Sequence, residues 1–337
     1  MISKDNDAGA VKTVLIGCGG FTFNTLYPML RNQPVRLAAV CDTDPARREA
    51  FARFYAVEKQ YEDYREMILT ERPGAVLCVV NADMHYEAAK LCLQEGIPVF
   101  VEKTPCRTSG QAEELAELQK RSGTIAAVGF NRRYCTAYTM AREIIRRPEF
   151  GRISMYYSKF NADPYGSHEY FIFNHIIHHI DLARYLLGEI TDIQARRTII
   201  DEKSGAWEVH FTALESGAVG TIQAASMLNE AYPMERLDIA STGGNVVVDN
   251  LRDLRYNRTG PRRDRCFAEP LANDGDCLTW NLSNGYGIGA GIFSYLGFEV
   301  ELDEFFSALR GGPKPRSTIE ECVGTMKAME AVRRFLN

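Results

Sequence analysis

Three groups of residues in this chain have the types and spacing to do chemistry, and the first is Gly17-Cys18-Gly19-Gly20-Phe21-Thr22, lying between an apolar run and a helical pattern. Glycines at such a turn let backbone N–H groups approach a pyrophosphate, and the helix N-terminus adds positive partial charge. Thr22 replaces the third glycine of a G-x-G-x-x-G pattern, so helix and strand pack less closely there. Taken alone, the motif also fits a plain tight turn. Its context favours a dinucleotide: Asp42 ends the second apolar run, 20 residues beyond Thr22, where a carboxylate accepts hydrogen bonds from an adenosine ribose. That carboxylate repels a 2′-phosphate and favours NAD. NADP stays open, because Arg47 and Arg48 either reach back to a phosphate or stand as solvated helix residues.

The second group is Val101-Glu102-Lys103-Thr104-Pro105. It places Lys103 at the carboxyl edge of a sheet, where open α/β folds bind ligands. A lysine there donates to a substrate oxygen and stabilises a developing alkoxide, or is simply a surface lysine. The third group is FIFNHIIHHIDLARYLLG, residues 171–188. At ~100° per residue, Asn174, His178, Asp181 and Tyr185 share one face, and Ile176, Ile180, Ala183 and Leu187 take the opposite, buried one. The polar face is expected to line a cleft, with Asn174, His178 and Asp181 beside a substrate. His178 suits a general base, because imidazole titrates near working pH; a lone helix histidine equally fits a structural role. His175, His179 and His85 are read as structural.

Two arginine groups remain. Arg132, within Asn131-Arg132-Arg133-Tyr134, either holds cofactor oxygens or makes an interdomain ion pair. Arg252, Arg255, Arg258, Arg262, Arg263 and Arg265 either grip a diphosphate, as in a nucleotide sugar, or form a solvated loop.

The elements that position these groups are legible in outline. Val11 to Gly17, Val35 to Asp42, Ala75 to Asn81, Ile97 to Glu102 and Thr124 to Phe130 read as strands buried on both faces. Amphipathic helices over Pro45–Phe54, Tyr64–Thr70, Tyr86–Glu95 and Gly110–Arg121 alternate with them, which means a parallel, doubly wound sheet. Beyond residue 130 the pattern changes. A helix at Ala137–Arg147, a strand at Arg152–Phe160 and a helix from Ile172 to Leu187 precede strands at Thr191–Ile200, Trp207–Leu214, Val219–Ser226, Arg236–Ser241 and Asn245–Val248. Glu215-Ser216-Gly217-Ala218 and Thr242-Gly243-Gly244 mark hairpins. The chain closes with Leu302–Leu309 and a helix opened by Ser317-Thr318-Ile319-Glu320 as a capping box. The expected α/β architecture is thus a Rossmann-type domain, 1–130, and an α+β domain with a large, mostly antiparallel open sheet, 131–337, whose last helix returns to the first domain. Residues 256–298 show little periodicity.

With 337 residues, 45% hydrophobic and 25% charged, the composition is that of an ordinary globular protein of about two domains. A net charge of −5 gives no positive field for nucleic acid or an acidic membrane, so a small-molecule partner is expected. Nine cysteines are scattered without C-x-x-C spacing, which predicts no metal site and fits reduced thiols in the cytoplasm. No run approaches the ~18 apolar residues of a membrane span.

Gly17-Cys18-Gly19, Asn81-Ala82-Asp83-Met84-His85, Gly96 to Lys103, Gly129 to Tyr134 and His178-His179-Ile180-Asp181 occur in an order that closely resembles the Gfo/Idh/MocA oxidoreductases, and among them most resembles dehydrogenases related to MviM. The resemblance spans nearly the whole chain. It implies an N-terminal Rossmann domain, a C-terminal domain whose open sheet makes homodimer or homotetramer contacts, and hydride transfer between NAD(P) and a carbon of a sugar or cyclitol. It makes Lys103 the active-site lysine of an E-K-P motif, sets Glu102 near the nicotinamide ribose, and adds Gly17, Gly19, Gly20, Phe21, Asp42, Asn81 and Arg132 as cofactor contacts. It also makes His178 the acid/base. Two departures stand out. Thr104 replaces the proline after the lysine, with proline displaced to Pro105, which puts any cis peptide there in question. Asn174 replaces a frequent Asp, and an amide cannot accept a proton. His178 then acts alone through solvent, Asp163 or Glu169 substitutes, or the chemistry has drifted. The alternatives to a sugar dehydrogenase are a non-catalytic dinucleotide-binding regulator and an NAD-dependent glycosidase with transient oxidation.

Overall fold

A computed structural model describes residues 9–164, 166–226, 234–258, 277–282 and 295–336. The first apolar runs become β1 (Val11–Ile16), β2 (Val35–Cys41), β4 (Ala75–Cys78), β5 (Val99–Glu102) and β6 (Ala126–Gly129), with a short β3 (Lys59–Tyr61) that the sequence pattern did not announce. They form one parallel sheet in the order β3-β2-β1-β4-β5-β6. Val14, Leu15, Val76, Leu77, Val99, Phe100 and Val128 are fully buried, as strands covered on both faces require. The polar edge strand β3 is held through Glu71, whose carboxylate takes Lys59 at 2.9 Å, Lys12 at 3.1 Å and the Tyr61 hydroxyl at 2.7 Å.

The covering helices begin where side chains satisfy their orphan N–H groups. After a π turn at Thr22–Leu26 and α1 (Tyr27–Leu30), Asp44 caps α2 (Pro45–Tyr55) and Asp63 caps α3 (Tyr64–Glu71). Asn81 caps α4 (Ala82–Gln94), which moves that helix start four residues ahead of the expected Tyr86. Thr108 and Gln111 form a capping box on α5 (Ser109–Ser122).

The second part opens with α6 (Thr136–Ile145), β7 (Ile153–Asn161), α7 (His168–Phe171), a second π turn (Ile172–Ile176) and α8 (Ile177–Leu187). Strands β8 (Ile190–Ile199), β9 (Gly205–Ala213), β10 (Val219–Ala225), β11 (Glu235–Ser241), β12 (Gly244–Asp249), β13 (Asp253–Arg258) and β14 (Cys277–Asn281) follow. The eight-stranded sheet runs β14-β13-β12-β11-β7-β10-β9-β8, antiparallel apart from the β7–β10 pair. Burial alternates along β9, with Trp207, Val209, Phe211 and Ala213 inward, the signature of a sheet with one covered face. Helices α6 and α8 pack on it. Both hairpins form as expected, Gly217 taking φ +70° in the first. The arginine stretch, by contrast, is partly strand: Arg255 lies on β13 and pairs with Asp249 at 2.9 Å. Arg262, Arg263, Arg265 and most of 256–298 lie outside the described residues.

The chain closes with α9 (Phe298–Leu309) and α10 (Ile319–Leu336). Two compact units result, Met1–Asn131 with Phe298–Lys327, and Arg132–Gly297 with Ala328–Asn337. The first unit therefore extends beyond 1–130. Apolar burial explains the addition: Phe305 is fully buried on α9 with its ring 5.9 Å from Phe100 of β5, and Phe298 meets Phe21 edge-on at 5.5 Å. The main chains of Val128 and Ser317 also bond at 2.8 Å. Ser317 does not cap α10 as the sequence suggests. Its hydroxyl donates to the Val128 carbonyl at 2.7 Å, and Thr318 Oγ1 accepts from Glu321 N instead. No helix among the described residues is long and apolar enough to cross a membrane.

Truncating Phe305 to alanine removes a buried ring from the first unit and should cost about 3–5 kcal/mol of unfolding free energy in urea titrations. A loss under about 1 kcal/mol would mean that α9 is not part of that core.

Candidate active site

The first unit gathers its candidate residues at the carboxyl edge of its parallel sheet. Gly17 ends β1 with φ +97°, and a Cβ there would stand 2.1 Å from the Val79 carbonyl oxygen, so no other residue fits. Gly19 and Gly20 are different. A Cβ on Gly19 would meet nothing within 4 Å, and on Gly20 only Asn24 Nδ2 at 3.9 Å. Among the described residues no atom requires glycine at either position, and the clear space suits close approach of a pyrophosphate to the backbone.

Asp42 fastens this loop. Its Oδ2 accepts from Cys18 N at 2.8 Å and its Oδ1 from Asp44 N at 2.9 Å. Arg48 donates to the Asp42 carbonyl at 2.6 Å, and Arg47 pairs with Asp44 at 3.2 Å. Burial, reinforced by the Asp42 charge, pushes the Cys18 and Cys41 thiols up to about 12, so neither is a thiolate at neutral pH. Thr22, where the glycine pattern departs, is buried at the start of a π turn. Phe21 remains 39% exposed beside the loop.

At the end of β5, the buried Glu102 carboxylate accepts from Lys103 N at 3.1 Å. Gly129 on β6 leaves room for it, since a Cβ there would fall 2.8 Å from Glu102 Oε1. Lys103 is half-buried, and the Lys103–Thr104 peptide is cis although residue 104 is not proline. Asn81 Oδ1 caps α4 by accepting from Met84 N at 3.1 Å. His85 on α4 is buried, with Nε2 accepting from Val80 N at 3.0 Å and Nδ1 lying 2.8 Å from the Thr104 carbonyl oxygen. Burial, with the Lys103 charge adding to it, brings its pKa down to about 4, so the ring is neutral in the fold.

In the second unit the π turn at Ile172–Ile176 changes the geometry expected of the histidine helix. Its i→i+5 bonding breaks the 100° count that set Asn174 on one face with His178, Asp181 and Tyr185. Asn174 is half-buried and donates from Nδ2 to the Tyr170 carbonyl at 2.9 Å. The helix has no wholly polar face beyond that turn: His178, His179, Asp181 and Arg184 are as buried as the isoleucines around them. His178 keeps 5% exposure and Asp181 none.

Asp181 is held by Arg133 in a buried bidentate pair at 2.7 and 2.8 Å. Arg132 likewise binds Glu235 at 2.8 Å, and the Tyr138 hydroxyl donates to Glu235 at 2.8 Å. Both arginines are thus matched to acids inside the second unit. Burial pushes the Glu235 carboxyl up, but the charges of Arg132 and His179 outweigh it and hold it far below the usual range. Glu235 went unnoticed in the sequence. Its signal was there, since alternation along Glu235–Ser241 puts it on the inward side with Leu237 and Ile239, where a carboxylate demands a buried cation. His175 and His179 pack against Phe160, at 4.9 and 5.5 Å, as core rings. Glu169 pairs with Arg333 at 3.2 Å. Among the described residues no cluster of His, Cys, Asp or Glu could hold a metal ion.

Comparison with known proteins shows what the chain is similar to. Residues 11–130 match the model of the GFO/IDH/MocA oxidoreductase family, NAD-binding Rossmann fold, and residues 138–247 match the GFO/IDH/MocA C-terminal domain. A D-apiose dehydrogenase of Paraburkholderia graminis is 24% identical, covering 95% of this chain and 86% of its own. An NAD(+)-dependent scyllo-inositol 2-dehydrogenase of Bacillus subtilis is 29% identical, covering 72% and 75%. An oxidoreductase of Agrobacterium radiobacter, solved with NAD+, L-tartaric acid and magnesium, superposes with a TM-score of 0.82 at 16% identity and 96% coverage of both chains.

Two outcomes follow from the geometry. Gly17→Ala should fail to fold stably, whereas Gly19→Ala should melt with the parent protein and weaken NADH binding about tenfold or more, by nicotinamide fluorescence, because its methyl occupies the phosphate approach. Equal NADH affinity for Gly19→Ala and the parent would place the dinucleotide elsewhere. His85 is neutral in the fold and charges more readily in the unfolded chain. Its contribution to stability is therefore complete above about pH 6.5 and is lost as pH falls from there through about 4, on the order of 3 kcal/mol in all. Denaturant unfolding at pH 7.5, 5.5 and 4.5 should show this limb in the parent and not in His85→Asn; parallel pH curves would refute it.

Proposed function

The chain belongs to the Gfo/Idh/MocA family of NAD-dependent oxidoreductases, and from that membership we propose that it works as a dehydrogenase or reductase on a carbinol or keto carbon of a sugar, cyclitol or nucleotide sugar. The observation that carries this is the common edge of one parallel sheet: the Gly17–Gly20 loop at the end of β1, Asp42 after β2 and Lys103 after β5 all stand at its carboxyl end. The relatives act on apiose and scyllo-inositol by name, both polyhydroxylated, which supports the substrate class.

Bound NAD supplies nicotinamide C4 as the partner in hydride transfer. The chain's own residues do the rest. Backbone N–H groups at Gly19 and Gly20 hold the pyrophosphate, Asp42 accepts from the adenosine ribose, and Phe21, Asn81 and Glu102 border the nicotinamide half. Lys103 donates to the substrate oxygen and stabilises the alkoxide as it forms. His178 takes the hydroxyl proton, or returns it in the reductive direction. Asn174 donates a hydrogen bond but cannot receive that proton. Asp181 and Arg132 pair with Arg133 and Glu235 inside the second unit, which supports a role in holding that unit together.

The substitution of Asn174 for a carboxylate favours one competing reading, a dinucleotide-binding regulator without turnover. Absorbance at 340 nm with a panel of polyols, keto-sugars and nucleotide sugars separates the two. We expect turnover on a polyol or its ketone, a drop in kcat of about 10²–10³ in Lys103→Met, and NADH affinity within about twofold of the parent. Tight NADH binding with no turnover on any compound would favour the regulator.

A further inference from the structure

We propose that His85 is a positioning residue for Lys103: its neutral ring ties the backbone that follows Lys103 to the turn that follows β4, and so sets where the lysine ammonium stands. The proposal deepens the role given to Lys103 above and rests on it.

The nitrogen that carries the proton sets the direction of both bonds. Val80 N–H donates to Nε2 at 3.0 Å, so Nε2 has no hydrogen of its own. A neutral imidazole then carries its hydrogen on Nδ1, which donates to the Thr104 carbonyl at 2.8 Å. The ring therefore accepts at one end and donates at the other, between segments that leave two neighbouring parallel strands, β4 and β5. It sits on the first turn of α4, and Asn81 fixes the start of that helix by capping it. With 1% exposure, no water competes for either bond.

Lys103 is thereby pinned on both sides. Its own amide donates to Glu102 Oε2 at 3.1 Å, and the carbonyl of the next residue receives the His85 hydrogen. Charging the ring would put a hydrogen on Nε2 facing the Val80 N–H and break that bond, leaving the Nδ1 bond to Thr104. Burial, with the Lys103 charge, outweighs the Thr104 and Cys78 carbonyls that favour the charged form and holds the imidazole neutral. No other natural side chain combines both ends of this bridge in one rigid plane. Asparagine reproduces a donor at the Nδ1 position and keeps the Thr104 bond. Glutamine reaches the Nε2 position and keeps the Val80 bond only.

The first test uses the unmodified protein. Long-range ¹H–¹⁵N spectra of the histidine rings should show His85, assigned by its loss in His85→Asn, as the neutral Nδ1–H tautomer from pH 8 to 5.5. An Nε2–H tautomer, or a titration midpoint near 6.5, would overturn the proposal whether or not any variant folds. The second test reads the lysine directly. After reductive ¹³C-methylation, the Lys103 resonance, assigned with Lys103→Arg, should keep its position and titration midpoint in His85→Asn and move in His85→Gln. In turnover, kcat should fall about ten- to a hundredfold in His85→Gln and less than about threefold in His85→Asn, with the NADH dissociation constant unchanged in both. A Lys103 resonance identical in the parent and in folded His85→Gln would overturn the proposal. A resonance that moves in a protein with no turnover on any compound would leave the positioning intact and sink the catalytic role of Lys103 instead.

Discussion

The carboxylate of Asp42 is the fixed point of the first unit's ligand edge. A loop that must offer its backbone to a phosphate cannot also be held by side chains of its own, so Gly17–Gly20 needs an anchor from a neighbouring strand. Asp42 provides it from the end of β2, with one oxygen on Cys18 N and the other on Asp44 N. The second bond also sets the Asp44 cap that starts α2. Gly17 complements this from the other side by clearing the Val79 carbonyl, so β1, β2 and the turn after β4 converge without a side chain between them. The same carboxylate that orders the loop is the one proposed to meet an adenosine ribose.

Polar residues in the second unit follow a different logic. Arg133 with Asp181, and Arg132 with Glu235 and Tyr138, are charges taken out of water and matched in bidentate or shared geometry. Replacing one partner leaves an uncompensated buried charge at a cost of about 3–5 kcal/mol. Such pairs fix α8 and the segment after β6 in one register rather than adding greatly to stability. That register is what holds His178 at a defined point of a helix otherwise buried on every side.

The two units were unequally legible in the sequence. Strands β1, β2, β4, β5 and β6 are continuous apolar runs, so burial on both faces announced them; β3 is Lys59–Gln60–Tyr61 and owes its place to Glu71, a long-range partner no local pattern reveals. Gly17, Asp42 and Lys103 were found because each closes a strand. Setting Asn174 on one face with Asp181 by counting 100° per residue assumes an α-helix, and the π turn at Ile172–Ile176 changes that count. Asp181 was read as lining a cleft beside a substrate, and nothing local announced its partner Arg133, 48 residues away. Arg255 was read as part of a loop because charge masked the alternation of β13, where Leu254 and Tyr256 point inward. Helix α10 shows the same lesson at its start, where Ser317 is drawn off to Val128 and Thr318 takes over the cap.

The central claim is that the Asp42-anchored edge binds NAD and selects it over NADP. The most direct test is the ratio of the NADH and NADPH dissociation constants, by nicotinamide fluorescence, for the parent and for Asp42→Ala. A parent preference for NADH of about tenfold or more, collapsing toward unity in Asp42→Ala, is the predicted result. Equal affinities in the parent, or a preference that survives the substitution, would contradict it.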